Sequence, residues 1–127
     1  MLREKLFLDI NSCRAISIQQ PFVEQILKGK KKYEYGSRPT QIRGRVFLYA
    51  SLRPGAEERW KGTGFKPGEL PSGLIVGSVE IVDCVYLKKD KIYGYKLAKP
   101  KRYKKHVKPK QQPQPCWFFP FGKPKGN

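Results

Sequence analysis

The chain has 127 residues, the length of one domain, and 27 Lys plus Arg against 10 Asp plus Glu leave a formal charge of +17. With 39% hydrophobic and 13% aromatic residues it holds enough apolar material for a core, which excludes wholesale disorder. No apolar run approaches the roughly 20 residues that span a bilayer, and Met1–Ile10 alternates charged and apolar residues, so neither a membrane span nor a secretory signal is expected.

Arg14–Ile18 alternates enough for a short strand. Phe22, Val23, Ile26 and Leu27 then recur at helical spacing, with Pro21 suited to the first turn and Gly29 to the left-handed position after the last, which predicts a helix of about two turns. Lys31–Tyr35 reads as a strand, Gly36–Thr40 as a loop opened by Gly36 and Pro39, and Gly44–Ser51 as the clearest strand of the chain. Arg53–Gly73 is a long Gly/Pro-rich loop with room for one helical turn around Ala56–Trp60. Gly73–Val85 is long for one strand, and Gly77 in its middle is where a bulge or sharp bend belongs. Tyr93–Leu97 and Cys116–Phe121 complete the set. The aromatic run Trp117, Phe118, Phe119 and Phe121 in the last reads as a closing strand with at most one ring at the surface. Five to six short strands with one early helix predict an α+β fold, a small mixed β-barrel. The whole of 1–127 is one domain, with its core over about 14–121 and a frayed tail at 122–127.

Cys13, Cys84 and Cys116 are odd in number, widely spaced and never CxxC, which argues against a disulfide framework or a zinc site. Free thiols predict an intracellular setting: the cytoplasm, or the nucleus in a eukaryote. The single histidine, His106, sits in a lysine-rich stretch and suits neither Ser-His-Asp nor Cys-His catalysis. No metal and no cofactor are implied. Glu80 and Asp83 fall on opposite faces of a regular strand, a poor acid/base pair.

The positive charge is concentrated. Residues 1–85 carry 14 basic and 9 acidic residues, whereas residues 86–127 carry 13 basic residues and Asp90 alone. Such an excess is the footprint of a polyanion binder. The basic residues are interleaved with prolines and lack an amphipathic helical pattern, which favours nucleic acid over a membrane surface. The candidate phosphate contacts are Lys99, Lys101, Arg102, Lys104, Lys105, Lys108 and Lys110. A solvated loop that aids solubility is the alternative.

Ser17–Phe22 (SIQQPF), Ile26–Lys31 leading to Tyr33–Glu34, Ser37–Thr40, Gly44–Ser51 and Leu70–Cys84 together resemble the ASCH domain family. The resemblance spans about Ala15–Phe121 and implies a PUA-like β-barrel that binds RNA. The family signature GxKxxExR falls on Gly29, Lys31 and Glu34, while its closing Arg falls on Gly36, a departure; Arg38 is the nearest cation to take its place. The Trp that follows QP in the family is Phe22 here. Some members hydrolyse acetylated cytidine with a Lys at the position of Lys31 and a Thr at that of Glu34, and others are linked to RNA cleavage. The Thr is absent here. A lysine that acts as base must give up its proton, and a neighbouring carboxylate opposes that loss. Lys31 and Glu34 are therefore expected to hold a ligand, Lys31 taking a phosphate or carbonyl oxygen and Glu34 accepting from the amino or imino edge of a base. Residues three apart on a regular strand face opposite ways, so the pair needs an irregular backbone after Gly29 to meet. The structural alternative pairs Glu34 with Arg43 or Arg45 and leaves Lys31 on the surface. Gln20 and Ser51 are candidates for neutral hydrogen bonds to the ligand, though turn and cap chemistry explains each as well. The leading expectation is thus an RNA or nucleic-acid binding module. A hydrolase acting on RNA or a modified nucleoside is the alternative, and a protein-interaction module with unknown partners is a third class.

Overall fold

The structure, a computed structural model, describes residues 14–111, 113 and 116–122. The expectations for Met1–Ile10, Cys13 and the last five residues lie outside those described. Six strands run in chain order as β1 (Ala15–Ile18), β2 (Tyr33–Gly36), β3 (Gly44–Ala50), β4 (Leu74–Leu87), β5 (Ile92–Val107) and β6 (Trp117–Phe118), with one helix, α1 (Phe22–Leu27), between β1 and β2. They form one mixed sheet in the order β2-β5-β4-β3-β1-β6, in which β1 and β3 are parallel and the other pairs antiparallel. The fold is a small α+β one, and Glu57–Trp60 forms a single 3-10 turn in the long loop.

The central strand explains the core. Val46, Leu48 and Ala50 face a cluster built from Ile16, Ile18, α1 residues Val23 and Ile26, Ile81 and Tyr95, while Phe47 and Tyr49 face a second built from Ala15, Ile75 and Phe118. With both faces covered, β3 is a continuous buried run instead of an alternating one. Helix α1 starts where Gln20 Oε1 accepts the Glu24 N–H at 3.0 Å, and ends at Gly29, whose φ of 78° suits glycine. Both Arg102 guanidinium nitrogens donate to the two Glu24 oxygens at 2.9 Å, tying the helix to β5.

Three expectations differ from what the structure shows. The strand expected over Tyr93–Leu97 runs on to Val107, so much of the lysine-rich tract is strand and not loop. Local composition hides this, because Pro100 and the charges lower strand propensity while pairing to β4 supplies the missing order. The closing strand shrinks to Trp117–Phe118. Among the described residues no ladder joins β2 to β6, so the expected barrel is seen as an open sheet with those two strands as its edges. The sheet nonetheless curls. In a flat sheet β5 and β6 would lie roughly 19 Å apart at about 4.8 Å per strand, yet the rings of Tyr95 and Trp117 are 6.2 Å apart.

Candidate cleft at the open seam

Lys31 precedes β2 in irregular backbone, where the N–H groups of Lys30 and Lys31 both donate to the Gln25 carbonyl at the end of α1. This local geometry lets residues three apart meet: Lys31 Nζ lies 3.5 Å from Glu34 Oε1, with the two side chains only 16% and 20% exposed. The ammonium also stands 5.1 Å over the Phe22 ring and 4.8 Å over Tyr35. Glu34 Oε1 is buried and has no hydrogen bond among the described residues, the Lys31 contact being an ion pair without hydrogen-bond geometry. The structural alternative fails on its partners. Arg43 donates to the carbonyls of Thr40 and Ile42, and Arg45 engages Ser78, Glu80 and the Lys99 carbonyl.

Glu34 lines a cleft of about 460 Å³ together with Ser17, Tyr35, Arg38, Tyr95 and Cys116. The walls come from β2 on one side and from β1 and the approach to β6 on the other, so the cleft is the seam left where the sheet curls without closing. Lys31 is not in its lining; it backs onto Glu34 from beside the aromatic rings. A second lobe of about 510 Å³ shares Arg38, Tyr95 and Cys116 and adds Arg14, Thr40 and Trp117.

Burial pushes the Glu34 carboxyl above its ordinary value of 4.5, outweighing the opposite pull of Lys31. Burial, with Cys116, Cys84 and Glu34 nearby, pushes Tyr95 up to about 12. Burial and Glu34 likewise raise the Cys116 thiol, so it is no ready nucleophile. A carboxyl whose folded pKa lies above its unfolded one binds its proton more tightly in the fold. Its stabilising effect is therefore complete below about pH 4.5 and is lost as pH rises through the raised value. Melting temperature against pH should show this loss in the wild type and not in Glu34→Gln, and identical profiles would contradict the assignment.

Of the remaining sequence candidates, Arg38 lines both lobes, and its guanidinium has no partner among the described residues. Ser51 reaches the cleft only through Ser17, the two hydroxyls lying 2.8 Å apart. Gln20 is 3% exposed and its amide is consumed by the Glu24 N–H and the Pro71 carbonyl, so it shapes the helix start and does not face a ligand. Arg102, one of the candidate phosphate contacts, pairs with Glu24 through both guanidinium nitrogens while its side chain stays half exposed. Tyr95, Tyr35 and Cys116 carry no signal in the sequence that points to a ligand. Tyr95 also explains the departure at Gly36: a Cβ there would stand 2.5 Å from the Tyr95 hydroxyl, which donates to the Arg38 carbonyl at 2.7 Å. An arginine at position 36 and the Tyr95 hydroxyl compete for one space.

The ASCH domain family model matches residues 16–116, a stretch that runs from within β1 to the approach to β6. The chain belongs to the ASCH domain family. Its members share a PUA-like fold associated with RNA binding. This ASCH domain is 31% identical over 88 residues to human (Homo sapiens) activating signal cointegrator 1, covering 60% of the chain and 15% of that protein. It is 32% identical over 82 residues to the mouse (Mus musculus) protein of the same name, covering 55% and 14%. The chain thus matches about a seventh of the length of these curated relatives. Among the described residues no helix is long and apolar enough to cross a membrane, and no three His, Cys, Asp or Glu side chains converge as a metal site.

Proposed function

We propose that this ASCH domain is an intracellular RNA-binding module in which the basic second half of β5 holds phosphates and the seam cleft holds a nucleotide at Glu34. The observation that carries the reading is the cleft itself: a buried acceptor oxygen without a hydrogen bond beside Tyr35 and Tyr95, and Arg38, whose guanidinium has no partner among the described residues, in the lining of both lobes, in a chain of net charge +17. Glu34 would accept from base N–H groups and Arg38 would take a phosphate. The Lys31 ammonium, held by Glu34 and two rings, fixes the carboxylate in place. A PUA-like barrel with one open seam is the architecture that belongs with this reading. Filter binding of the full chain to structured and single-stranded RNA tests it; failure to retain either at low salt would reject it.

The same geometry argues against the amidase chemistry. Glu34 stands where the hydrolysing members carry a hydroxyl, and its carboxylate, which is no substitute for that nucleophile, forms an ion pair with Lys31 at 3.5 Å. Turnover of acetylated cytidine is therefore expected to be negligible in the wild type, with any gain appearing in Glu34→Thr. Robust wild-type turnover that vanishes in Lys31→Ala would place hydrolysis ahead of binding.

A further inference from the structure

We propose that the seam takes two consecutive unpaired ribonucleotides, with the phosphate that links them on the Arg38 guanidinium. This rests on the RNA-binding reading above and adds the length and form of the ligand. The two lobes, about 460 and 510 Å³, each fall in the range of roughly 300–1,000 Å³ that takes one small organic ligand. They are contiguous, sharing Arg38, Tyr95 and Cys116.

The chemistry of the shared residues decides what belongs at the junction. The Tyr95 hydroxyl is used by the Arg38 carbonyl, and Cys116 carries no charge while it keeps its proton. Arg38 is the one cation common to both lobes, and nothing among the described residues neutralises it. An anion is therefore suited to the middle of the groove. On one side of it the first lobe offers an acceptor, Glu34; on the other the second lobe offers the aromatic Trp117 and a further cation, Arg14, with no carboxylate in its lining. A phosphate flanked by two bases, one hydrogen-bonded and one stacked, matches that order. A lone nucleoside fills one lobe and leaves Arg38 without its anion. A duplex keeps both bases paired and cannot part them into separate lobes.

The test titrates the full chain with each of the four nucleosides, their 3′-monophosphates and the four homodinucleotides. These ligands are too short to recruit the basic second half of β5, so the groove alone is read. The monophosphate of the preferred base should bind about tenfold more tightly than its nucleoside, through Arg38. The dinucleotide should gain about fivefold or more again and quench tryptophan fluorescence, through the second lobe. Arg38→Ala, at an exposed position, should remove the first step and keep the melting temperature. Dinucleotides that bind no better than monophosphates, or a first step that survives Arg38→Ala, would each overturn the two-nucleotide site while long RNA remains bound. Loss of long-RNA binding as well would overturn the parent reading too.

Discussion

Replacing Lys104, Lys105 and Lys108 together by Glu is expected to weaken RNA binding about 100-fold at 0.1 M salt, alike for every sequence. Each phosphate contact on a single strand contributes about −0.7 to the slope of log K against log salt, so three contacts contribute about −2, and a tenfold dilution from 1 M salt turns that into roughly two orders of magnitude. If about six cations of residues 86–127 engage, the wild-type slope is about −4 on single strands and −5 on duplex. Phosphate contacts carry no base information, hence the uniform loss. The placement of the lysines supports the choice: between the pairs Gly77–Arg102 and Ile75–Val107, β4 advances two residues while β5 advances five, which throws Lys104, Lys105 and His106 out of the ladder. All three are exposed.

There is a competing role for these charges. β2 pairs only with Tyr93–Lys96 of β5, so beyond Leu97 that side of β5 is a long edge, and lysines on an edge discourage pairing with another sheet. Glutamates would serve that purpose as well as lysines. A triple variant that aggregates no more than the wild type but loses RNA affinity assigns the charges to phosphate, whereas a wild-type slope near zero would assign them to edge protection alone.

The locally encoded parts of this fold are legible in the sequence. Pro21, Gly29 and the spacing of Phe22 to Leu27 specify α1, and the apolar run from Val46 specifies β3, because backbone preference and hydrophobic period agree there. The second half of β5 is not legible, since its order comes from pairing with β4 over long sequence separations and against its own composition. At the site, the Lys31 and Glu34 pair follows from the motif, and its contact needs only the irregular turn after Gly29. Tyr95 and Cys116 are silent for a different reason: they join the cleft only through the curl of the sheet, which brings β5, β1 and the approach to β6 together. The side-chain types of Gln20 and Arg102 suit a ligand, and only the fold reveals their contacts with Glu24 and Pro71.

Gly77→Ala is expected to destabilise the domain by about 3 kcal/mol, lowering its melting temperature by roughly 10 °C. Gly77 sits where β4 shifts register against both neighbours, the bend that its position in a long strand suggests. The bend alone does not require glycine; the close approach does. A Cβ at 77 would run into the Lys101 carbonyl oxygen and would stand 2.9 Å from Leu27 Cδ2 and 3.3 Å from Arg102 Cα. Two of those three atoms are β5 backbone, which cannot turn aside as a side-chain end can. Trimming Leu27 to Ala in the Gly77→Ala background should therefore fail to restore stability, whereas full recovery would make the helix side chain the whole cause. The consequence reaches the cleft. Leu27 over Gly77 and the Glu24–Arg102 pair hold α1 against β5, and the end of α1 supplies the Gln25 carbonyl that fixes the backbone of Lys31. A Cβ at 77 pushes on that same helix, so the Lys31–Glu34 contact should loosen along with the fold. A Gly77→Ala protein that melts within about 2 °C of the wild type would show that β4 and β5 can part at this point without cost.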